Sequence, residues 1–187
     1  LWQTWKTKEI PGSVKKQADS WYKSNPQLDI RLMDDQECSD FILEHFGKEV
    51  HILYHSLPQP IMRADFWRLA VVYIHGGYYS DLDITCKKKL DSFINPNVDA
   101  VFMREINNIS NYFFGAAPKH PAIKMAIDTM IVEMKIIIDK ETQSFGMHGL
   151  HSSVREYYKV VNTNFISNDK VQFLLDDYMR SSKTLIH

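Results

Sequence analysis

Apolar and polar positions alternate along this 187-residue chain in blocks that predict an α/β order. Leu1 to Trp5 reads as the end of a first strand, because Thr and Trp favour strands. Ile10-Pro11-Gly12-Ser13 is a turn and helix start. Val14, Ala18, Trp21 and Tyr22 then fall on one helical stripe, which Asn25-Pro26 ends. Leu28, Ile30 and Leu32 alternate with Asp29 and Arg31, a half-exposed strand. Asp34-Asp35 precedes Phe41, Ile42, Leu43 and Phe46 at helical spacing, so it reads as an N-cap rather than a metal site. Gly47 closes that helix, and Leu53 to Gln59 is a connection.

The segment Pro60 to Ile74 is apolar at nearly every position, as in a helix buried on most sides. Pro60 suits its start and Gly76-Gly77 its stop. A short strand follows, with Asp81 and Asp83 near its end. Ala100 to Glu105 and Tyr112 to Ala117 read as strands, separated by a polar loop containing Asn107, Asn108, Ser110 and Asn111. A long helix is predicted over Pro121 to Lys140, with Ala126, Ile127, Met130, Ile131, Met134 and Ile138 as its buried stripe. Gln143 to Ser153 reads as a Gly- and His-rich loop in which Ser152 or Ser153 caps a helix over Val154 to Val161. Val171 to Met179 is a last amphipathic piece. The alternation predicts a sheet sandwiched by helices, with ligands beyond the carboxyl ends of the strands.

Composition bounds the reading. The length suits one domain spanning 1–187, and 44% hydrophobic residues can fill a core. A net charge of −1 gives no electrostatic case for nucleic acid or an anionic membrane. Lys87-Lys88-Lys89 reads as a solvated run close enough to the acidic pair to help hold an anion. No stretch is long and apolar enough to span a bilayer. The chain starts at Leu1 rather than Met, which reads as trimmed and leaves a removed anchor or targeting segment open. The compartment is likewise open between cytoplasm and Golgi lumen. Cys38 and Cys86 are far apart, in no metal-ligand spacing, and read as reduced and structural.

The chemistry concentrates in Asp81-Leu82-Asp83. On a strand, residues two apart share a face, so both carboxylates would leave the sheet together with Leu82 turned the other way. Two close anions favour a cation between them, and hard oxygen ligands suit Mg²⁺ or Mn²⁺ bound to a diphosphate. The plain alternative is a solvated turn. On the apolar helix only Arg63, Asp65 and Arg68 are charged, and the last two share a face. Either they form an internal ion pair, or Asp65 binds sugar or ribose hydroxyls while Arg68 faces the diphosphate.

The string Arg63-Ala-Asp65-Phe-Trp-Arg68-Leu followed by Gly76-Gly77-Tyr-Tyr-Ser-Asp81-Leu-Asp83 resembles the signature of glycosyltransferase family 32, the Och1-like enzymes with a DXD sugar-binding region. Gln3-Thr4-Trp5-Lys6 is similar to the family's opening strand. Asn111-Tyr-Phe-Phe-Gly-Ala-Ala-Pro-Lys-His-Pro resembles its Asn-to-His-Pro segment. His148-Gly149-Leu150-His151 stands where many members carry Thr-Gly-Pro, with Leu150 in place of the Pro.

The resemblance implies a single GT-A type domain, a Rossmann-like mixed sheet flanked by helices. It implies a UDP- or GDP-sugar donor (UDP-glucose or GDP-mannose), Mn²⁺ or Mg²⁺, a glycan or glycoprotein acceptor, and retention at the anomeric carbon. Carried onto this chain, Asp83 would ligate the metal directly, and Asp81 through water and the ribose. Asp65, Arg68 and Arg63 would hold donor sugar and diphosphate. Gln3, Thr4 and Trp5 would line the nucleotide, with Leu82 and Asn111 beside it. His148 or His151, next to Gly149, would complete the metal or diphosphate shell. Rival readings are a metal-dependent phosphohydrolase or nucleotidyltransferase, and a sugar-binding module without catalysis.

Overall fold

A computed structural model describes residues 1–105, 108–140, 147–158 and 166–175. Six strands form one mixed sheet, in the order β2-β1-β3-β5-β4-β6. Strands β1 (Trp2–Thr4), β2 (Arg31–Met33) and β3 (Gly77–Ser80) run parallel to one another. Strand β5 (Ile109–Ala116) runs antiparallel to both β3 and β4 (Ala100–Arg104). Strand β6 (Val171–Leu175) lies parallel to β4 at the sheet's far edge.

Strands β4 and β5 are buried on both faces because they are apolar at consecutive positions. In β4, Ala100 and Phe102 enter the larger core, while Val101 and Met103 enter a second one on the opposite face. The larger core is filled by α2 (Asp35–His55), α3 (Pro60–His75), α4 (Pro121–Lys140) and α5 (Met147–Tyr157). The second core holds Trp21 of α1 (Gly12–Ser24) with Ile84, Leu90 and Phe113. Helix α3 sits centrally, with Phe66 and Trp67 fully buried. Each such side chain contributes roughly 1.5–3 kcal/mol on burial.

The N-cap at Asp34 forms as expected: its carboxylate accepts from the Glu37 amide while Glu37 accepts from the Asp34 amide, both at 2.9 Å. Gly47 takes φ 80° and ψ 174°, which interrupts helical geometry. Helical residues then resume as far as His55, so part of the connection expected over Leu53 to Gln59 is helix.

Other boundaries move as well. Tyr22, assigned to the buried stripe of α1, is 48% exposed. Strand β5 begins at Ile109, so Ser110 and Asn111 are strand rather than loop. Helix α5 begins at Met147, so Ser152 and Ser153 lie inside it instead of capping it. The last amphipathic piece is strand over Val171–Leu175, and positions 176–179 lie outside the described residues. In α4 the stripe is buried at Ala126, Ile127, Met130 and Met134. The Ile138 side chain lies outside the described part.

Candidate functional site

The site forms where β3 ends. Helix α3 returns to the sheet through Gly76, whose φ of 70° and ψ of −164° suit glycine and little else. That tight return sets α3 against β3 and puts Asp65 and Arg68 of α3 at the carboxyl end of the strand. Strand β3 stops at Ser80, so Asp81, Leu82 and Asp83 are turn rather than strand. The Ile84 amide donates to the Asp81 carbonyl at 3.3 Å, and the Asp81 amide donates to Tyr112 of β5 at 2.8 Å. Strand alternation therefore does not orient the two carboxylates. Packing does: Leu82 is buried against Val14 and Ala18 of α1, while Asp83 is exposed.

Arg68 is the hub, with its side chain 3% exposed. Its Nη2 lies 3.1 Å from Oδ1 of Asp65 and its Nη1 lies 3.2 Å from Oδ1 of Asp81. Nη1 also donates to the Asn111 carbonyl at 2.8 Å, and Nε donates to the Ala64 carbonyl at 3.3 Å. The ion pair read as one alternative between Asp65 and Arg68 is thus present. The guanidinium is turned to protein acceptors rather than outward. Asn111 Nδ2 donates to Asp65 Oδ1 at 3.0 Å. Tyr79 was absent from the sequence reading, although its hydroxyl donates to Asp81 Oδ1 at 2.6 Å and its ring lies 4.7 Å beneath the guanidinium carbon. Its signal was its position two residues before Asp81, on the strand face turned to α3.

Charge is unbalanced here. Three carboxylates, Asp65, Asp81 and Asp83, act on one guanidinium: burial works to lower the Arg68 pKa, but Asp81, Tyr79, Asp65 and Asp83 together raise it. Burial pushes the Asp65 carboxyl up to about 6, with Arg68 opposing and Asp81 adding to the rise. Burial also raises the Asp81 carboxyl, against the pull of Arg68 and the Tyr79 hydrogen bond. The Tyr79 hydroxyl is held far above its ordinary range by burial, so it stays a donor.

This excess of negative charge, with hard oxygen donors at a solvent-facing turn, fits a divalent cation such as Mn²⁺ or Mg²⁺. Among the described residues no three His, Cys, Asp or Glu side chains converge to hold an ion. Diphosphate oxygens and water would therefore have to complete a shell begun by Asp81 and Asp83.

The remaining candidates scatter around this centre. Trp5 packs on the cluster that includes Leu82, next to the acidic turn. Gln3 is buried, and its Nε2 has no hydrogen-bond partner among the described residues. The Thr4 hydroxyl donates to the Met33 carbonyl of β2 at 3.0 Å and meets Cys38 Sγ of α2 at 3.3 Å. Arg63 donates to the Leu57 carbonyl at 3.1 Å.

Gly149 is a packing residue: a Cβ there would come within 3.0 Å of Met130 Cγ on α4. His151 accepts from the Ile109 amide through Nδ1 at 3.1 Å. A neutral His151 ring then carries its proton on Nε2 and presents a donor rather than a metal-binding lone pair. The His148 side chain lies outside the described part. Among the described residues, no helix is long and apolar enough to cross a membrane.

An uncharacterised glycosyltransferase of Acanthamoeba polyphaga mimivirus is 29% identical over 84% of this chain and 64% of its own length. Inositol phosphoceramide mannosyltransferase 1 of Schizosaccharomyces pombe is 30% identical over 68% of this chain and 41% of its own. An initiation-specific alpha-1,6-mannosyltransferase of Candida albicans is 30% identical over 51% and 26% respectively. The chain thus spans less than two thirds of each of these relatives.

The solved structure of PaToxG glycosyltransferase superposes with a TM-score of 0.66 at 17% identity, over 84% of this chain and 68% of that one. That likeness supports the GT-A type fold expected from the sequence. Residues 11–110 match the family model for the glycosyltransferase sugar-binding region containing a DXD motif, and the chain belongs to that family.

Proposed function

We propose that this domain is a metal-dependent, retaining glycosyltransferase that moves a hexose from a UDP- or GDP-sugar to a hydroxyl of a glycan-type acceptor. The observation that carries the reading is the Asp81-Leu82-Asp83 turn at the strand end, with Asp81 fixed by Arg68 and Tyr79 and Asp83 exposed. The names of the fungal relatives favour mannose as the hexose.

When bound, Mn²⁺ or Mg²⁺ would supply charge neutralisation for the diphosphate leaving group. Asp83 would hold the ion directly and Asp81 from behind. Arg68 would act through both acids as a positioning residue, by bridging Asp65 and Asp81 and favouring their ionised forms. Asp65, anchored by Asn111, would offer its remaining oxygen to a sugar hydroxyl. Gln3 Nε2 would gain an acceptor from the nucleotide, which would relieve a buried unpaired donor that costs about 1–3 kcal/mol. The same carboxylates would also serve a phosphohydrolase, but the Asp65 anchoring favours sugar recognition.

The test is donor hydrolysis with GDP-mannose and UDP-glucose, with and without Mn²⁺, in the wild type and Asp83→Ala. Loss of roughly 10²-fold or more in the variant supports the reading. Undiminished Mn²⁺-dependent turnover overturns it, and release of a sugar phosphate in place of free sugar would assign the phosphohydrolase.

A further inference from the structure

Ser39 and His55 are sixteen residues apart within α2, a span of about 24 Å along an unbroken helix. Their side chains nevertheless meet, with Ser39 Oγ at 2.8 Å from His55 Nε2. The chain therefore doubles back at Gly47, where helical geometry is interrupted. Helix α2 is a hairpin of two short arms. Ser39 lies on the first arm and His51 and His55 on the second.

His51 Nε2 reaches the same oxygen at 2.9 Å. The two imidazoles are four residues apart and share a helix face. Their centroids are 4.5 Å apart and the rings stand at 71°. A hydroxyl has one proton, so Ser39 donates to one ring and accepts from the other. One ring is then the Nδ1–H tautomer and the other the Nε2–H tautomer. Ser39 is buried, while His51 is half-buried and His55 exposed, so the pair opens to solvent on one side.

We propose that His51 Nε2 and His55 Nε2, with the Ser39 hydroxyl beside them, form a binding site for a borderline-soft divalent cation such as Ni²⁺ or Zn²⁺. Geometry and ligand chemistry carry it. The two nitrogens converge on one point from one helical turn. Imidazole selects Zn²⁺, Ni²⁺ and Cu²⁺ where carboxylates select Mg²⁺ and Mn²⁺, so the cation class differs from that of the acidic turn. The cation would also tie the second arm of the hairpin to the first, through a cluster that already joins them across Gly47.

The His55 ring favours the neutral form, the form that ligates. Burial, His51 and Arg63 hold the His55 pKa below its ordinary value. Among the described residues no third His, Cys, Asp or Glu joins the pair, so water completes the shell. The positive charge of Arg63 opposes a cation and keeps the affinity modest.

The test is calorimetric titration of the whole chain with NiCl₂, in excess Mg²⁺ to saturate the acidic turn. The wild type is expected to take up one equivalent that His51→Gln and His55→Gln each weaken by about tenfold or more, with a smaller loss in Ser39→Ala. Wild-type affinity and stoichiometry in both histidine variants overturn the proposal. Should either variant fail to fold, judged by its metal-free melting curve, paramagnetic broadening in the wild type decides. Ring signals of His51 and His55 must broaden first. Broadening that begins at His45 or His75 overturns the site.

Discussion

The Tyr79 hydroxyl donates to Oδ1 of Asp81 at 2.6 Å, and the same oxygen lies 3.2 Å from Nη1 of Arg68. One oxygen of the first acidic residue is therefore fully committed to the protein. Tyr79→Phe removes that hydroxyl and leaves the ring under Arg68. A hydrogen bond to a charged group contributes about 1.5–3 kcal/mol. The variant is expected to fold, to bind Mn²⁺ about 10–100-fold more weakly, and to lose donor hydrolysis in proportion. A metal titration and turnover at saturating Mn²⁺ separate a lost position from a lost fold.

Arg68 gathers two carboxylates and two backbone carbonyls inside the protein, so its removal strands buried charge. Arg68→Met is expected to cost about 3–5 kcal/mol in urea unfolding. Arg68→Lys keeps the charge but loses the fork that reaches Asp65, Asp81 and Asn111 together, and should fall between the two. Adding Asp65→Asn to Arg68→Met removes one stranded anion and should recover part of the loss. A double variant no more stable than Arg68→Met would show that Asp65 does not depend on the guanidinium.

Elements governed by local periodicity were legible in the sequence. The apolar run of α3, the stripe of α4 and the Asp34–Glu37 cap all follow from neighbours three and four apart. Features decided at long range were not. Gly149 lies where α5 packs on α4 and a Cβ would crowd Met130 Cγ, a neighbour no local window contains. The last strand is strand because β4 offers it a parallel edge. Asp81 and Asp83 sit in a turn, and Leu82 between them is turned inward by Val14 and Ala18, which lie some seventy residues earlier. Tyr79 was not singled out by the sequence, because its hydroxyl matters only once Arg68 and Asp81 are placed around it.

Asp65 predicts a pH dependence. Its carboxyl is pushed up to about 6 in the folded chain, first by burial. An unfolded Asp titrates near 3.9. Between about pH 4 and 6 the folded state therefore holds a proton that the unfolded state has released, and stability falls as pH rises through that window. Below it both states are protonated, and above it the folded state carries the full burial cost. Relative to Asp65→Asn, the wild type should lose on the order of 2 kcal/mol from pH 4 to 7. Urea midpoints for both proteins across that range check it. Parallel curves would show that Asp65 is ionised throughout.

Gly76 joins the helix that carries Asp65 and Arg68 to the strand that carries Tyr79 and leads to Asp81. Its backbone lies in a region open almost only to glycine. A Cβ there would also meet Pro118 Cδ at 2.7 Å and Pro118 N at 2.9 Å. Relief by rotation is closed, because Pro118 is held by the ring and by the backbone of the segment that follows β5. Gly76→Ala is expected to cost at least about 1–3 kcal/mol in backbone strain alone. The clash must then be relieved by shifting α3 against β3, which separates Arg68 from Asp81. Gly47→Ala, where φ is also positive but a Cβ meets nothing within 4 Å, carries a comparable backbone penalty without the displacement. Both variants should melt earlier than the wild type. At a temperature where both remain folded, only Gly76→Ala should lose Mn²⁺-dependent donor turnover. Equal loss in the two would mean that the glycine return does not set the spacing of the site.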